Sequence, residues 1–439
     1  AGLRAGGLKT LAKTTGTAPR IIDENGKDRV IHRLRSASIG EQVRLLRNFA
    51  KKNPALTSFY SRSLQKSGLF YGFPSKKKLL ALYSQTLNLQ QSAISTDIHR
   101  LETITPKFSL AIIGEENGRV IRTLRSLSNQ AENIDYVFTS VESNSQTKEF
   151  SDLNFKKVSG LGDVSIQQTN SPLLLLNAGD ELHGQALAYL SKRTVEGLLF
   201  VDTDQKLSGS LCENARLLPD WNPDYQLSNA YIRSGVLLSA KLRESLEQTS
   251  AKTIAGLVTQ LWLRDRELSV EHVPLSLVHH KENKQAKLTE LQEIAGLIES
   301  EKASANTVEG EQINIVQWPV TNQPLVSLII PTKNARQLVK ECIDSILNKS
   351  TYQNYEILLV DNNSDEPESL AYFEELSQHE KIRVLKYPHP FNYSAINNFA
   401  AQQAKGEVIG LINNDIEVIT PDWLEYMVGH ALRVDIGCV

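Results

Sequence analysis

Asn413, Asn414 and Asp415 end an apolar run, Val408 to Ile412, in the stretch GEVIGLINNDIEVITPDWL. Asn and Asp are ordinary turn residues, and taken alone the three read as a surface turn. Two further apolar runs also end on polar groups: YEILLVDNNS at Asp361, and LVSLIIPTKN at Pro331 and Thr332. Open parallel sheets bind their ligands just past the carboxyl ends of the strands, so these residues belong to one edge. There, Asp361 can accept hydrogen bonds from a base N–H or a ribose hydroxyl. Asp415 is a carboxylate suited to a divalent cation such as Mg²⁺, which takes one or two carboxylates together with phosphate oxygens and waters. The chemistry expected of the edge is a metal and diphosphate site.

The elements that must position these residues are readable as periodicities. LVSLIIPTKN, RQLVKECIDSILNKS and YEILLVDNNS give strand, helix and strand within about 30 residues, a βαβ unit with a right-handed crossover. The same grammar appears earlier, in FSLAIIG, GRVIRTLRSLSNQ and IDYVFTSVES. SPLLLLNAGDELHGQALAYL (171–190) also lies against GEVIGLINNDIEVITPDWLEYM (406–427). Two matches in the same order imply two tandem copies of one α/β domain. The expected partition is a basic, mainly helical region over 1–107, a first domain over 108–283, a charged linker over 284–324, and half of a second domain over 325–439. The chain opens on Ala1 and stops at Val439, and is read as a piece of something longer.

PLVSLIIPTKN, YEILLVDNNSDEPE, PFNYSAINNFAAQQAKGEVIGLINNDIEV and PDWLEYMVGHAL together resemble the nucleotide-binding half of a family 2 glycosyltransferase of bacterial surface-polysaccharide (O-antigen) type. The resemblance implies two tandem GT-A domains, Rossmann-like with mostly parallel sheets, the second incomplete. It places Asn413-Asn414-Asp415 where the family has Asp-x-Asp, with only the last carboxylate kept. Pro331, Thr332, Asp361, Asn413, Asn414 and Asp415 would bind the donor, Asn397 would stand near it, and Asp415 would hold Mg²⁺ or Mn²⁺. The donor would be a UDP-, GDP- or dTDP-sugar, and the acceptor a glycan or lipid-linked glycan. The transfer would be inverting, with a general base expected beyond Val439. In the first copy, Gly179 stands at the position of Asp415, Gly114-Glu115 replaces Pro-Thr, and FTSVES has no counterpart of Asp361. That copy is expected to be eroded and non-catalytic, with Asp180 in a shifted metal role as the minority reading.

Bulk properties narrow the classes. The 439 residues are 41% hydrophobic with mean hydropathy −0.28, and no run approaches the roughly 20 apolar residues of a membrane-spanning helix. Three dispersed cysteines, Cys212, Cys342 and Cys438, suggest neither a disulfide framework nor a zinc site, and fit a reducing cytoplasm. Net charge is −2, yet residues 1–107 hold 19 Lys/Arg against 6 Asp/Glu, an excess of 13. Such a region wants an anionic neighbour, either the inner face of a membrane, where each basic residue adds about 1 kcal/mol, or nucleic acid, and reads equally as a solvated helical surface or a face docking onto the acidic remainder. It lacks the interleaved aromatics of a single-stranded nucleic-acid binder. Adjacent His279 and His280 read as surface residues, Trp221 and Trp423 as core anchors, and Thr420-Pro421 as a helix start. Two rival classes remain. A non-catalytic carbohydrate-binding scaffold would have both copies eroded, and a sugar nucleotidyltransferase would need a glycine-rich loop that PTKNARQ lacks.

Overall fold

The computed structural model describes residues 76–105, 107–140, 150–164, 170–206, 212–281 and 283–439. Most of the basic segment, with the membrane-facing surface expected of it, lies outside the described residues. The chain divides into two compact units, Ala1–Asn88 and Leu89–Val439. Of the first, the described part is the start of helix Lys76–Arg100.

The second unit holds two α/β sheets. The first is built from β1 (Phe108–Ile113), β2 (Ile134–Thr139), β3 (Phe155–Lys157), β4 (Leu173–Asn177), β5 (Glu181–Leu182), β6 (Leu198–Lys206), β7 (Cys212–Arg216), β8 (Val236–Leu238) and β9 (Val270–His279). Its order is β3-β2-β1-β4-β8-β6-β9-β5, with β7 paired to β6. Strands β3, β2, β1 and β4 run parallel, and β8 then enters antiparallel between β4 and β6. After a two-stranded hairpin of β10 (Ser304–Val308) and β11 (Ile313–Gln317), the second sheet comprises β12 (Val326–Thr332), β13 (Tyr355–Asp361), β14 (Ile382–Lys386) and β15 (Val408–Leu411). Its order, β14-β13-β12-β15, repeats that of β3-β2-β1-β4, and every pairing is parallel.

Burial explains the apolar runs. β4 (LLLLN) is buried except at Asn177, and β13 (YEILLVD) is buried throughout, as central parallel strands covered by helices on both faces must be. In the first sheet one face packs Leu110, Val120, Leu124 and Leu176, and the other packs Phe138, Leu175, Phe200 and Ile254. In the second sheet Leu328, Ile343, Ile357 and Phe373 form one core, and Ile329, Leu358 and Ile396 the other. β15 is an edge strand, and its Ile409 and Leu411 are exposed.

Three boundaries differ from the sequence reading. Pro331 and Thr332 lie in β12, paired with Val360 and Asp361, because β13 continues alongside them. The final helix runs Trp423–Ala431 with Asp422 as N-cap, so Thr420-Pro421 precedes it. Residues 284–324 hold more than helix and loop: helix Lys284–Ile298 and the β10–β11 hairpin pack Leu291, Ile294, Ile298 and Val316 against Leu227, Ala255 and Trp262.

Candidate active site

The carboxyl edge of the second sheet opens into a cleft of about 230 Å³. It is lined by Pro331, Thr332, Lys333, Asn362, Phe391, Tyr393, Asn413 and Asn414. Four of the expected donor-site residues, Pro331, Thr332, Asn413 and Asn414, thus share one cavity. Asn414 Nδ2 donates to Thr332 Oγ1 at 3.0 Å, joining the ends of β12 and β15 across the cleft floor.

Asp361, Asn397 and Asp415 do not line the cleft, but each adjoins it. Asp361 is buried beside Thr332 in the strand register, and its Oδ1 accepts the Ser364 N–H at 2.9 Å. Asn397 is buried on helix Tyr393–Ala401, its Nδ2 donating to Tyr393 O at 2.8 Å while its Oδ1 has no hydrogen-bond partner. Asp415 follows Asn414 in the turn and is exposed.

Local structure fixes the two walls. Asn334 and Ala335 have φ of 54° and 58°, a left-handed turn leading into helix Arg336–Lys349. Asn334 Oδ1 accepts the N–H groups of Asp365 and Glu366 at 2.9 and 3.1 Å, locking the loop after β12 to the loop after β13. The turn after β15 rests on one stripe of the same helix. Cys342 Sγ donates to Asn413 O at 3.6 Å, Ser345 Oγ accepts the Val418 N–H at 3.0 Å, and Lys349 Nζ donates to Val418 O at 3.0 Å. Residues three and four apart on a helix face the same way, so one helix holds the whole turn. Burial raises the Cys342 thiol to about 11, with the Asp415 charge adding to it against the Ile416 N–H.

Lys333, Asn362, Phe391 and Tyr393 were not singled out by the sequence reading. Asn362 Nδ2 donates to Tyr387 O at 2.9 Å and His389 O at 2.7 Å, holding the loop that presents Phe391. Phe391 is 69% exposed and Tyr393 46%, apolar surface that a bound molecule would cover. The only sequence signal was PFNYSAINN, with Asn392 as the N-cap accepting the Ala395 N–H at 3.0 Å.

At the same edge the first sheet is closed. Ser109 pairs with Leu173 as Ser327 pairs with Ile409, and six residues onward from each partner stand Gly179 and Asp415. Gly179 has φ +101°, and a Cβ on Gly114 would lie 2.9 Å from Ala178 Cβ, so this edge folds down on itself. Asp180 is 2% exposed; it accepts the Asn177 N–H at 2.7 Å and the Ser234 hydroxyl, and pairs with His280 Nδ1 at 2.7 Å. His279 Nδ1 lies 2.5 Å from Asp204 Oδ1, and His272 Nε2 lies 3.0 Å from Asp202 Oδ1. The reading of His279 and His280 as surface residues is therefore corrected: their side chains are 14% and 10% exposed. β9 ends between β6 and β5, which cover it from both sides. Burial raises the Asp202 carboxyl despite the Leu218 N–H and His272. Burial, then the Asp204 charge and hydrogen bond, push the Cys212 thiol up to about 12.

Residues 327–439 match the sequence model of glycosyl transferase family 2. These residues are a family 2 glycosyltransferase domain. All eight cleft-lining residues fall inside the matched span, and the mixed α/β architecture agrees with the GT-A fold. The O-antigen biosynthesis protein RfbC of Myxococcus xanthus is 32% identical over 299 residues, which are 64% of this chain and 22% of the relative. Glycosyltransferase GlyG of Streptococcus pneumoniae is 31% identical over 115 residues, 26% of this chain and 38% of the relative. The chain spans between about a fifth and two fifths of these relatives' lengths. Among solved structures, a mannosyltransferase of Pyrobaculum calidifontis in complex with GDP-Man and Mn²⁺ is 23% identical at a TM-score of 0.25, covering 27% of this chain and 37% of that one.

Proposed function

We propose that the family 2 domain transfers a sugar from a nucleoside diphosphate sugar to an acceptor hydroxyl of a growing surface glycan, with inversion and with a divalent metal. The observation that carries this reading is the open cleft at the carboxyl edge of an all-parallel sheet, within the matched span. Its 230 Å³ is below the roughly 300–1,000 Å³ of common ligand sites, so it would hold part of a donor, with the sugar toward the open side.

In this reading Asp361 accepts from the nucleoside through its second oxygen, the first being held by Ser364. The linked Thr332 and Asn414 side chains shape the diphosphate floor, and Lys333 at the cleft supplies a cation. Asn397 Oδ1, buried without a partner, accepts a donor hydroxyl. The side-chain atoms of the turn able to ligate a metal are all oxygens, those of the Asp415 carboxylate and of the Asn413 and Asn414 amides, a set that suits Mg²⁺ or Mn²⁺. A cation there would stabilise the charge that gathers on the leaving diphosphate. As the acceptor oxygen bonds to the anomeric carbon, the bond from that carbon to the diphosphate oxygen breaks, and the acceptor proton passes to a general base. The eight lining residues include no carboxylate or imidazole, so that base comes from outside them.

The same reading makes the two sheets tandem copies, with the first not binding donor: its edge is closed, and Gly179 stands where Asp415 would. Among the described residues no helix is long and apolar enough to cross a membrane. The basic excess of 1–107 supports peripheral contact with an anionic inner membrane face from the cytoplasm.

Calorimetry with UDP, GDP and dTDP, each with and without Mn²⁺, tests the reading. Metal-dependent binding of one nucleotide, lost in Asp415→Ala, is expected. Absence of binding by all three would overturn it in favour of a scaffold.

A further inference from the structure

We propose that Asp204, Cys212 and His279 of the first sheet form a zinc site, separate from the oxygen-rich turn at Asp415 and independent of the activity proposed for the second sheet. Their ligand atoms, a carboxylate oxygen, a thiol sulfur and an imidazole nitrogen, all lie within 4.8 Å of one another. Strand register assembles them. Asp204 pairs directly with His279 across the parallel β6–β9 ladder, and Cys212 opens β7, paired to Lys206 on the other side of β6.

Two features favour a metal over a nucleophilic triad. In a triad the imidazole uses one nitrogen for the carboxylate and the other for the thiol, as a proton relay requires. Here His279 Nδ1 faces both, Asp204 Oδ1 at 2.5 Å and Cys212 Sγ at 3.9 Å, so the three groups converge on one point. Tetrahedral zinc, with bonds of about 2.0–2.3 Å, sets its nitrogen, oxygen and sulfur ligands roughly 3.3–3.6 Å apart, which small side-chain shifts reach from the observed positions. Burial is the second feature. Asp204 is 1% exposed and Cys212 7%, so an ion held between them would be screened from solvent, where its attraction for a carboxylate and a sulfur ligand is strongest.

The donor set selects the ion. Thiolate and imidazole suit Zn²⁺, whereas Mg²⁺ and Mn²⁺ prefer oxygen ligands. As the sulfur–zinc bond forms, the Cys212 proton leaves to solvent. Three protein ligands leave a fourth position to water. Bound there, zinc would fasten β7 to β6 and β9.

The experiment uses the full chain, purified and dialysed without chelator. Elemental analysis is expected to find one zinc per chain, retained against excess Mg²⁺ and Mn²⁺. The Co²⁺-substituted protein should show a thiolate-to-cobalt charge-transfer band that is absent in Cys212→Ser and intact in Cys438→Ser. Asp204→Asn should weaken zinc by more than the roughly 10–100-fold that loss of an outer-sphere partner costs. No stoichiometric zinc, or a cobalt form of the wild-type chain without the thiolate band, overturns the proposal. Both readings stand on the wild-type chain even if Cys212→Ser fails to fold.

Discussion

Polar residues in this chain are organised around a few buried acceptors, and Glu356 shows how. It is 8% exposed in β13, and its Oε1 accepts the Ser327 hydroxyl at 2.7 Å and the Lys405 N–H at 2.8 Å, while Arg383 donates to Oε2 at 3.1 Å. Ser327 Oγ in turn accepts the Gly406 N–H at 2.9 Å, so one carboxylate ties β12, β13, β14 and the approach to β15. Burial alone would raise its pKa, but the bonds from Ser327, Lys405 and Arg383 and the Arg383 charge outweigh it and hold the carboxyl below its ordinary value. A depressed folded pKa means stability that is present above the unfolded carboxyl pKa, about 4.3, and lost as the pH falls through the folded value. Urea midpoints of the wild type should therefore fall on acidification below about pH 4, and Glu356→Gln should lower the neutral-pH midpoint and flatten that fall. An unchanged acid slope in the variant would remove Glu356 from this role.

At the scale of elements, helix Lys284–Ile298 shows what charge can conceal. KENKQAKLTELQE reads as a solvated linker, yet Glu290 is 5% exposed and pairs with the buried Arg233. Glu293 accepts the N–H groups of Lys252 and Thr253 at 2.5 and 3.1 Å, serving the start of helix Ile254–Arg264. Asn314 of the hairpin donates to Leu227 O and Leu291 O at 3.2 and 2.9 Å. Removing one partner of a buried pair leaves the other uncompensated. Glu290→Ala should cost about 3–5 kcal/mol, read from chemical unfolding, whereas replacing Arg233 and Glu290 together by apolar residues should cost far less. Equal losses in the single and double variants would count against the pair.

Across the whole second unit, contacts run from one sheet's elements to the other's through the hairpin and the last helix. Arg433 pairs with Asp224 beside the first sheet, bonds Asp435, and places its guanidinium 4.6 Å from the centre of the Trp318 ring. His430 Nε2 lies 3.3 Å from Val316 O of β11. Burial opposes the Arg433 charge, but Asp224 and Asp435 outweigh that and raise its pKa. Arg433→Ala should uncouple the two sheets, so that a single thermal transition in calorimetry becomes two. A single transition in both proteins would show that the hairpin packing couples them without this residue.

The sequence by itself determined what local periodicity encodes. Apolar runs named the parallel strands, buried ones and the exposed edge strand β15 alike, and the polar residues ending them named the edge where Pro331, Thr332, Asn413 and Asn414 meet. Those residues needed no long-range information, because parallel strands deliver their carboxyl ends to one side. Only the tertiary structure decided which side chains reach the cleft and which stop short of it, as Asp361, Asn397 and Asp415 do. It also brought Lys333 and the exposed Phe391 to the cleft, since exposure of an aromatic ring leaves no periodic trace. Asp204 and Cys212 stand 75 and 67 positions from His279, and three such residues become neighbours through ladder register alone. Register follows from how whole strands bury their faces, a property of the assembled sheet that spacing along the chain does not carry.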